Sequence, residues 1–449
     1  MPNSAAETSG CRAYVTRICV EDLFGQFTYN ISSSSAEDTL SHLLILYGEN
    51  GTGKTTILQL LCHLLSKEIL KGHRTFLAKT PFTRFAVVLT NGLELSAERP
   101  RPVAGDFTMF FKSDDLRSHY DYKVNEKGNI PGLKDDQEHD EFMRSLPELN
   151  VTFLSDDRKI SQAIEEEVDS DVEVVASQAI YRMMRAQAAE KGSGTSATVP
   201  ALARLLEWTR AQALRASNEG ERDVNAVYAE IIKRLSRFKQ TSESSAQLLS
   251  TLEAQALRSR VYSQFGLTTE LHIDELIGPI TDATGERLDI LAQVLRPYLE
   301  SNDARLNALG PLQQTLEAFV KGINSFYANK KVTIHLREGV RILSANNQQL
   351  DPRSLSSGEK QLLILFCNVI QESEKPAIFI IDEPELSLNV DWQRKLIGSL
   401  VKLSRGNVQF VFATHSLELL ARHRKNVARL TPPELAPAVV SSSPTEKEA

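Results

Sequence analysis

Two sets of residues in this chain have the types and spacing that phosphate chemistry needs. The first is Gly48-Glu49-Asn50-Gly51-Thr52-Gly53-Lys54-Thr55, followed by Thr56, which fits the pattern GxxxxGK[ST]. It follows the strand-like run HLLILY (42–47) and precedes TTILQLLCHLLSKEIL (55–70), whose apolar residues recur at helical spacing. That strand–loop–helix context is what the motif requires. The glycines let backbone N–H groups close around phosphate oxygens, and the helix N-terminus adds its partial positive charge. Lys54 then reaches the β- and γ-phosphates, and the Thr55 hydroxyl is suited to Mg²⁺. ATP and Mg²⁺ are the expected ligands.

The second set begins at the end of an apolar run, Ala377-Ile-Phe-Ile-Ile-Asp382-Glu383-Pro384. Asp382 is placed to hold Mg²⁺ through water, and Glu383 to orient or deprotonate an attacking water. VQFVFATHS then sets His415 just past the next strand, on the edge where ligands bind in open parallel sheets. There it is expected to sense the γ-phosphate. About twenty residues before the carboxylates, Leu355-Ser356-Ser357-Gly358-Glu359-Lys360-Gln361 precedes the apolar helix LLILFCNVI.

Strands and helices must bring these segments together. AYVTRICV and FTYNI precede the loop strand, and 74–155 reads as antiparallel strands (FTRFAVVL, DFTMFF, NVTFL) plus a loop around NEKGNIPG. AIFIID (377–382) and VQFVFAT (408–414) are near-continuous apolar runs, as parallel strands buried on both faces require. KVTIHLR and GVRILSA mark the return of strands from 331. Between lies a helical region with amphipathic VNAVYAEIIKRLSRF and AQLLSTLEAQALRSRVYSQF, closed by QTLEAFVKGINSFYANK (314–330). A helix over about 222–265 would be roughly 65 Å long at 1.5 Å per residue. KGSGTSATVP (191–200) reads as a flexible piece. The expected division is therefore 1–160 and 331–430 as two parts of one α/β domain, 161–330 as a helical insert, and 431–449 as a disordered tail.

The 449 residues are 41% hydrophobic and 24% charged, with a formal charge of −7 from 51 basic and 58 acidic side chains. That balance excludes a protein that coats nucleic acid through its whole surface. The charge is uneven: fourteen acids face three bases from Asp135 to Glu173, and thirteen bases face eight acids from Ala176 to Tyr262. Both runs read as solvated helix faces or as a partner surface. Cys11, Cys19, Cys62 and Cys367 form no CxxC pair, so neither a disulfide framework nor a structural zinc site is expected. No apolar run reaches the 18 or more residues of a membrane helix, and the start MPNSAAETSGCR lacks a signal pattern. No membrane partner and a cytoplasmic setting are expected.

Together the motifs resemble the ABC-type ATPase head of the SMC/OLD-like (AAA15/AAA21-like) branch. LSSGE (355–359) is similar to that family's signature, Glu385-Leu-Ser387-Leu-Asn-Val-Asp391 to its D-loop, and His415 to its switch histidine. The resemblance implies an α/β fold: a P-loop ATPase head, with a mixed sheet and an antiparallel β subdomain, interrupted by an α-helical hairpin or coiled-coil insert. It also implies a homo-oligomer, at least a dimer, in which Ser356, Ser357, Gly358 and Glu359 meet ATP held by a second copy. Gln162 is the candidate for the family's Q-loop glutamine, and Phe24 or Phe27 for its adenine-stacking aromatic. Within the branch, the chain resembles the stand-alone ATPase subunits of the anti-phage systems PARIS and Septu. An ATPase of that kind is a sensor and scaffold for a separate effector nuclease, with a phage-encoded trigger, and hydrolyses ATP to ADP and phosphate. The 34 residues after His415 leave no recognisable nuclease in this chain. Two other readings stay open: a RecF- or Rad50-like repair ATPase acting on DNA, and an ATP-gated assembly module with negligible turnover.

Overall fold

The computed structural model describes residues 13–32, 42–67, 72–113, 116–131, 136–155, 197–220, 224–237 and 244–431. Gln162, the acidic residues from Asp156 to Glu173, most of KGSGTSATVP and nearly all of the expected tail lie outside them. Packing divides the chain into two units. One draws on Met1–Val172, Lys375–Ile397 and Gly406–Ala449, the other on Glu173–Glu374 and Gly398–Arg405. The division expected at 330 thus falls inside the second unit, which also takes in the strands and signature segment between 331 and 374.

In the first unit, β1 (Val15–Leu23), β2 (Phe27–Ser32), β4 (Arg84–Leu89), β5 (Glu94–Glu98), β6 (Phe107–Lys112) and β7 (Arg117–Tyr122) form an antiparallel sheet in the order β2-β1-β4-β5-β6-β7. Alternation sends Phe107, Met109 and Phe111 of β6 into the core and leaves Phe110 exposed, the period-two signature of a sheet with one covered face. The other sheet joins β3 (Leu43–Tyr47), β8 (Asn150–Leu154), β12 (Ala377–Asp382), β13 (Val408–Thr414) and β14 (Val427–Arg429) in the order β14-β3-β13-β12-β8, all parallel. Every residue of β12 and β13 is buried, so the apolar runs read as parallel strands have that environment.

Four elements of this unit differ from the expectation. NVTFL is β8 and pairs parallel with β12 rather than joining the antiparallel strands. Helices α2 (His73–Lys79) and α3 (Gln137–Ser145) occupy stretches read as strands and loop; Asp136 caps the latter by accepting from the His139 N–H. Helix α1 (Lys54–Leu65) ends five residues earlier than read. Its Ile57, Leu58, Leu61, Leu64 and Leu65 are buried at the spacing of one helical face, each contributing about 1.5–3 kcal/mol by leaving water.

The second unit is helical, with a three-stranded antiparallel sheet. Its helices are α4 (Thr198–Gly220), α5 (Val224–Ser236), α6 (Ser245–Ser263), α7 (Asp274–Thr281), α8 (Glu286–Asn324) and α9 (Ser357–Glu372). The sheet is β9 (Lys330–His335), β10 (Gly339–Ser344) and β11 (Gln349–Leu350). The helix expected over about 222–265 is two helices, α5 and α6. The long element is instead α8, whose 39 residues span about 58 Å. Ser244 and Gln247 form a reciprocal capping box that starts α6, which fixes a helix boundary where continuity was expected. Helix α10 (Val390–Leu403) completes the described long helices.

Candidate nucleotide site

The phosphate loop leaves β3 and enters α1 through two left-handed glycines, Gly51 (φ 83°) and Gly53 (φ 81°). The second must be glycine for space as well: a Cβ there would meet the Leu23 side chain at 3.0 Å. A Cβ on Gly48 would meet the Thr52 hydroxyl at 2.9 Å and the Leu430 carbonyl at 3.0 Å. The loop is held from outside its own sequence, because the Tyr29 hydroxyl donates to the Thr52 carbonyl at 3.1 Å. Thr52 in turn donates its hydroxyl to the Glu49 carbonyl at 2.9 Å.

Lys54 is buried, and its ammonium donates to the carbonyls of Gly48 and Glu49, each at 2.9 Å. It therefore closes the ring of the loop. No side chain caps the N-terminus of α1, and no acidic residue occupies its first turn. The end of this 12-residue helix is left for an anion. Glu49, Asn50, Gly51 and Thr55 are exposed along the loop, with Thr56 half-buried beneath them.

Strand order brings the other motifs to the same edge. β13 lies between β3 and β12, and all three run parallel, so the loop after β3, Asp382 at the end of β12 and His415 after β13 share the carboxyl edge of one sheet. Asp382 is buried at that edge. An oxygen donor set of the Thr55 hydroxyl and a buried carboxylate fits a hard divalent cation such as Mg²⁺.

Glu383 breaks the strand with a left-handed backbone (φ 44°) while its N–H still donates to the Ala413 carbonyl at 2.9 Å. A non-glycine residue held there costs about 1–3 kcal/mol, and such strain collects at working sites. The turn aims the Glu383 side chain along the edge, where its Oε1 lies 3.3 Å from Nδ1 of the half-exposed His415. Ser387, in the D-loop-like segment, is also left-handed (φ 62°) and exposed; Asp391, at the start of α10, is exposed too.

Sequence reasoning missed the role of Glu385. Its side chain is only 5% exposed. Oε1 accepts from the Thr414 hydroxyl at 2.5 Å, from the His415 N–H at 3.1 Å and from the Ser416 N–H at 3.2 Å. The only sequence signals were its place at the start of the D-loop-like segment and a third carboxylate following Asp382 and Glu383.

The signature segment lies in the second unit. Ser356 caps α9: its hydroxyl accepts from the Glu359 N–H at 3.3 Å, and Glu359 accepts from the Ser356 N–H at 2.7 Å. Lys330 donates to both Glu359 oxygens at 2.8 Å, and the Tyr327 hydroxyl donates to the Glu359 carbonyl at 2.8 Å. Burial works against the charged carboxyl of Glu359, but hydrogen bonds from Lys330 and Ser356 outweigh it and hold its pKa below the ordinary value. Ser356 and Ser357 are exposed, and Gly358 is buried behind them. Phe366 of α9 packs edge-on against Phe326 at 5.8 Å and against Phe319 of α8 at 6.4 Å, which fixes the signature helix on the long one.

The two aromatic candidates separate. Phe24 is 44% exposed with a left-handed backbone (φ 55°), in the turn just after the Leu23 side chain that faces Gly53. Phe27 packs on the core and stacks on Tyr29 at 6.0 Å.

A phosphate loop, an acidic strand end and a histidine on one edge of a parallel sheet define a P-loop ATPase of the ABC type, in its SMC/OLD-like branch. The chain belongs to the family described as "AAA domain, putative AbiEii toxin, Type IV TA system", which it matches over residues 43–421. It is 27% identical to a "Retron Ec83 probable ATPase" of Escherichia coli, covering 23% of this chain and 24% of that protein. It is 29% identical to a "Putative ABC transporter ATP-binding protein" of Methanosarcina acetivorans, over 19% of this chain and 16% of the relative. A protein of the same description from Pyrococcus abyssi is 30% identical over 27% of this chain and 42% of its own length. The matches thus span less than half the length of each of these relatives. Among solved structures, the chain is similar to a Pyrococcus furiosus Smc head domain with an extended coiled coil, bound to the C-terminal domain of ScpA. There the identity is 12%, the coverage 93% of both chains and the TM-score 0.37. Among the described residues no helix is long and apolar enough to cross a membrane.

Proposed function

We propose that this chain binds ATP and Mg²⁺ on the loop Gly48–Thr56 and hydrolyses ATP to ADP and phosphate, and that this cycle controls a separate effector nuclease in anti-phage defence. The observation that carries the reading is the pairing of Glu383 with His415 on the sheet edge that also presents the phosphate loop. Lys54 leaves the Gly48 and Glu49 carbonyls for the β- and γ-phosphates, and the uncapped start of α1 receives their charge. Thr55 and Asp382 would hold Mg²⁺, which neutralises charge on the phosphates when bound. Glu383 orients and deprotonates the attacking water, and His415 donates to the γ-phosphate from the same edge. Phe24 offers an exposed face for the adenine.

The chain supplies a signature helix whose N-terminus is exposed at Ser356 and Ser357, with Gly358 buried behind them, and is pre-formed by its capping box. In this reading a second copy completes each ATP site with it, Ser387 and Asp391 meet that copy, and Glu359 keeps the cap rigid through Lys330. ATP thereby makes at least a dimer. The family description names a toxin–antitoxin system, a two-component arrangement, and a relative is named as a retron ATPase. Both support an ATPase that governs a partner. In this proposal an infecting phage supplies the trigger, in a cytoplasmic setting. The basic stretch from Ala176 to Tyr262 is the part of the chain suited to an acidic protein or DNA. Phosphate release by the purified chain, measured with its mass in the presence and absence of ATP, tests the reading.

A further inference from the structure

We infer that Glu385 is the positioning residue for His415: it fixes the switch segment Thr414–Ser416 and so sets the imidazole against Glu383. The inference rests on the proposed hydrolysis at this site and names a residue through which that site is held.

Three donors converge on one oxygen of a carboxylate that is almost wholly inside the protein. They are the Thr414 hydroxyl, the His415 N–H and the Ser416 N–H, at 2.5, 3.1 and 3.2 Å. Both backbone donors belong to the short stretch after β13 where the parallel ladder has ended, so no strand partner defines their direction. The carboxylate replaces that partner. A polar group buried this deeply needs such donors to compensate for lost water, and here all three come from the segment that carries the histidine. Oε1 of Glu385 also lies 3.4 Å from His415 Nδ1, against 3.3 Å for Oε1 of Glu383. The ring nitrogen therefore sits between one carboxylate that is partly exposed and one that is buried.

Gln393 supplies a second anchor from the first turn of α10. Its Nε2 donates to the Leu388 carbonyl at 2.9 Å, and its Oε1 accepts from the Ser416 hydroxyl at 2.7 Å. Ser416 is thus held at its N–H by Glu385 together with the Thr414 hydroxyl oxygen, at 3.2 and 2.9 Å, and at its hydroxyl by Gln393. The segment 383–389 and the segment 414–416 are tied at two points, which makes the position of His415 depend on the turn that follows the catalytic carboxylate.

The test compares Glu385→Ala, Glu385→Gln and His415→Ala with the double variant His415→Ala/Glu385→Ala. Glu385→Ala is expected to lower kcat by about 10²-fold, the scale of a misplaced reacting group, while ATP affinity stays within about threefold because the phosphate loop is untouched. Glu385→Gln keeps one acceptor and the shape of the pocket, and is expected to recover part of that loss. In the His415→Ala background, removing Glu385 should add less than about threefold. A folded Glu385→Ala protein with wild-type kcat, or losses in the double variant that multiply in full, would overturn the inference. The His415 imidazole resonances, read in the nucleotide-free chain, give a measurement that needs no turnover. They should shift and broaden in both Glu385→Gln and Glu385→Ala, and unchanged resonances would overturn the inference as well. A wild-type chain that releases no phosphate would instead refute the hydrolysis reading, so the two failures are distinguishable.

Discussion

His415 Nδ1 lies 3.3 Å from Glu383 Oε1, although the two side chains leave the ends of different strands. The parallel pairing of β12 with β13 makes this possible, because Asp382 is in register with Ala413. The residue just after β12, Glu383, then faces the turn that carries the histidine. Glu383 adopts a left-handed backbone at this point, and the strain is supported by the Glu383 N–H bond to the Ala413 carbonyl and by the buried anchor Glu385 two residues on. In the proposed function, a base and a phosphate sensor so placed would act on one reacting centre.

Lys54→Ala should remove ATP binding. The lysine offers an ammonium from the buried face of the loop, and a hydrogen bond to a charged group contributes about 1.5–3 kcal/mol. Loss of its phosphate contacts lowers affinity by at least about tenfold. Calorimetric titration of ATP checks this, and tight binding by the variant would refute the loop assignment. Thermal unfolding should also fall, because Lys54 ties the carbonyls of Gly48 and Glu49 together.

Ser356→Arg should stop ATP turnover without touching the phosphate loop. The residue is exposed at the start of α9, at the N-terminus offered to nucleotide on a second copy. An arginine there adds bulk and removes the hydroxyl that accepts from Glu359. ATP binding to the variant should persist while phosphate release falls to background. Wild-type turnover with an unchanged mass distribution would contradict a shared site.

A pH effect follows from His63, on the buried face of α1. Burial, and then the neighbouring His73 and Arg74, push its pKa down to about 3. His63 Nδ1 sits 2.8 Å from His73 Nδ1, so the pair shares one proton between them. In the unfolded chain the histidine takes up a proton below about 6.5, whereas in the fold it stays neutral. Unfolding therefore binds a proton as pH falls, and stability present above about 6.5 is lost progressively toward pH 3. Between pH 7 and pH 5 the loss from this group is about 2 kcal/mol. Denaturant melts of the wild type and of His63→Asn at both pH values measure it, and the variant should show the smaller difference.

The strongest local signals were the ones that carried. The phosphate loop follows a run of apolar residues and opens a helix, and AIFIID and VQFVFAT occupy the two central strands of the parallel sheet. Pairing was less legible than strand content. NVTFL has the composition of any half-buried strand, and its partnership with β12 depends on a chain that returns more than 220 residues later. The long helix α8 was hidden for a different reason. Pro297 and Pro311 and the polar stretch ESNDAR (300–305) interrupt its apolar pattern, so only its last turns looked helical. Conversely, the apolar periodicity on both sides of 238–243 suggested one helix where a capping box starts another. Glu385 was legible as the start of the D-loop-like segment but not as an anchor, because its three donors come from residues about thirty positions away and no spacing announces them.

The central claim is that Glu383 performs the chemistry on ATP held by the phosphate loop. Phosphate release by Glu383→Gln beside the wild type, with ATP binding measured on both, tests it most directly. The amide keeps the size of the side chain and removes only its basicity. The variant is therefore predicted to bind ATP within about threefold of wild type while releasing phosphate about 10²–10⁴-fold more slowly, the range of a lost general base. Turnover at the wild-type rate by Glu383→Gln would contradict the account.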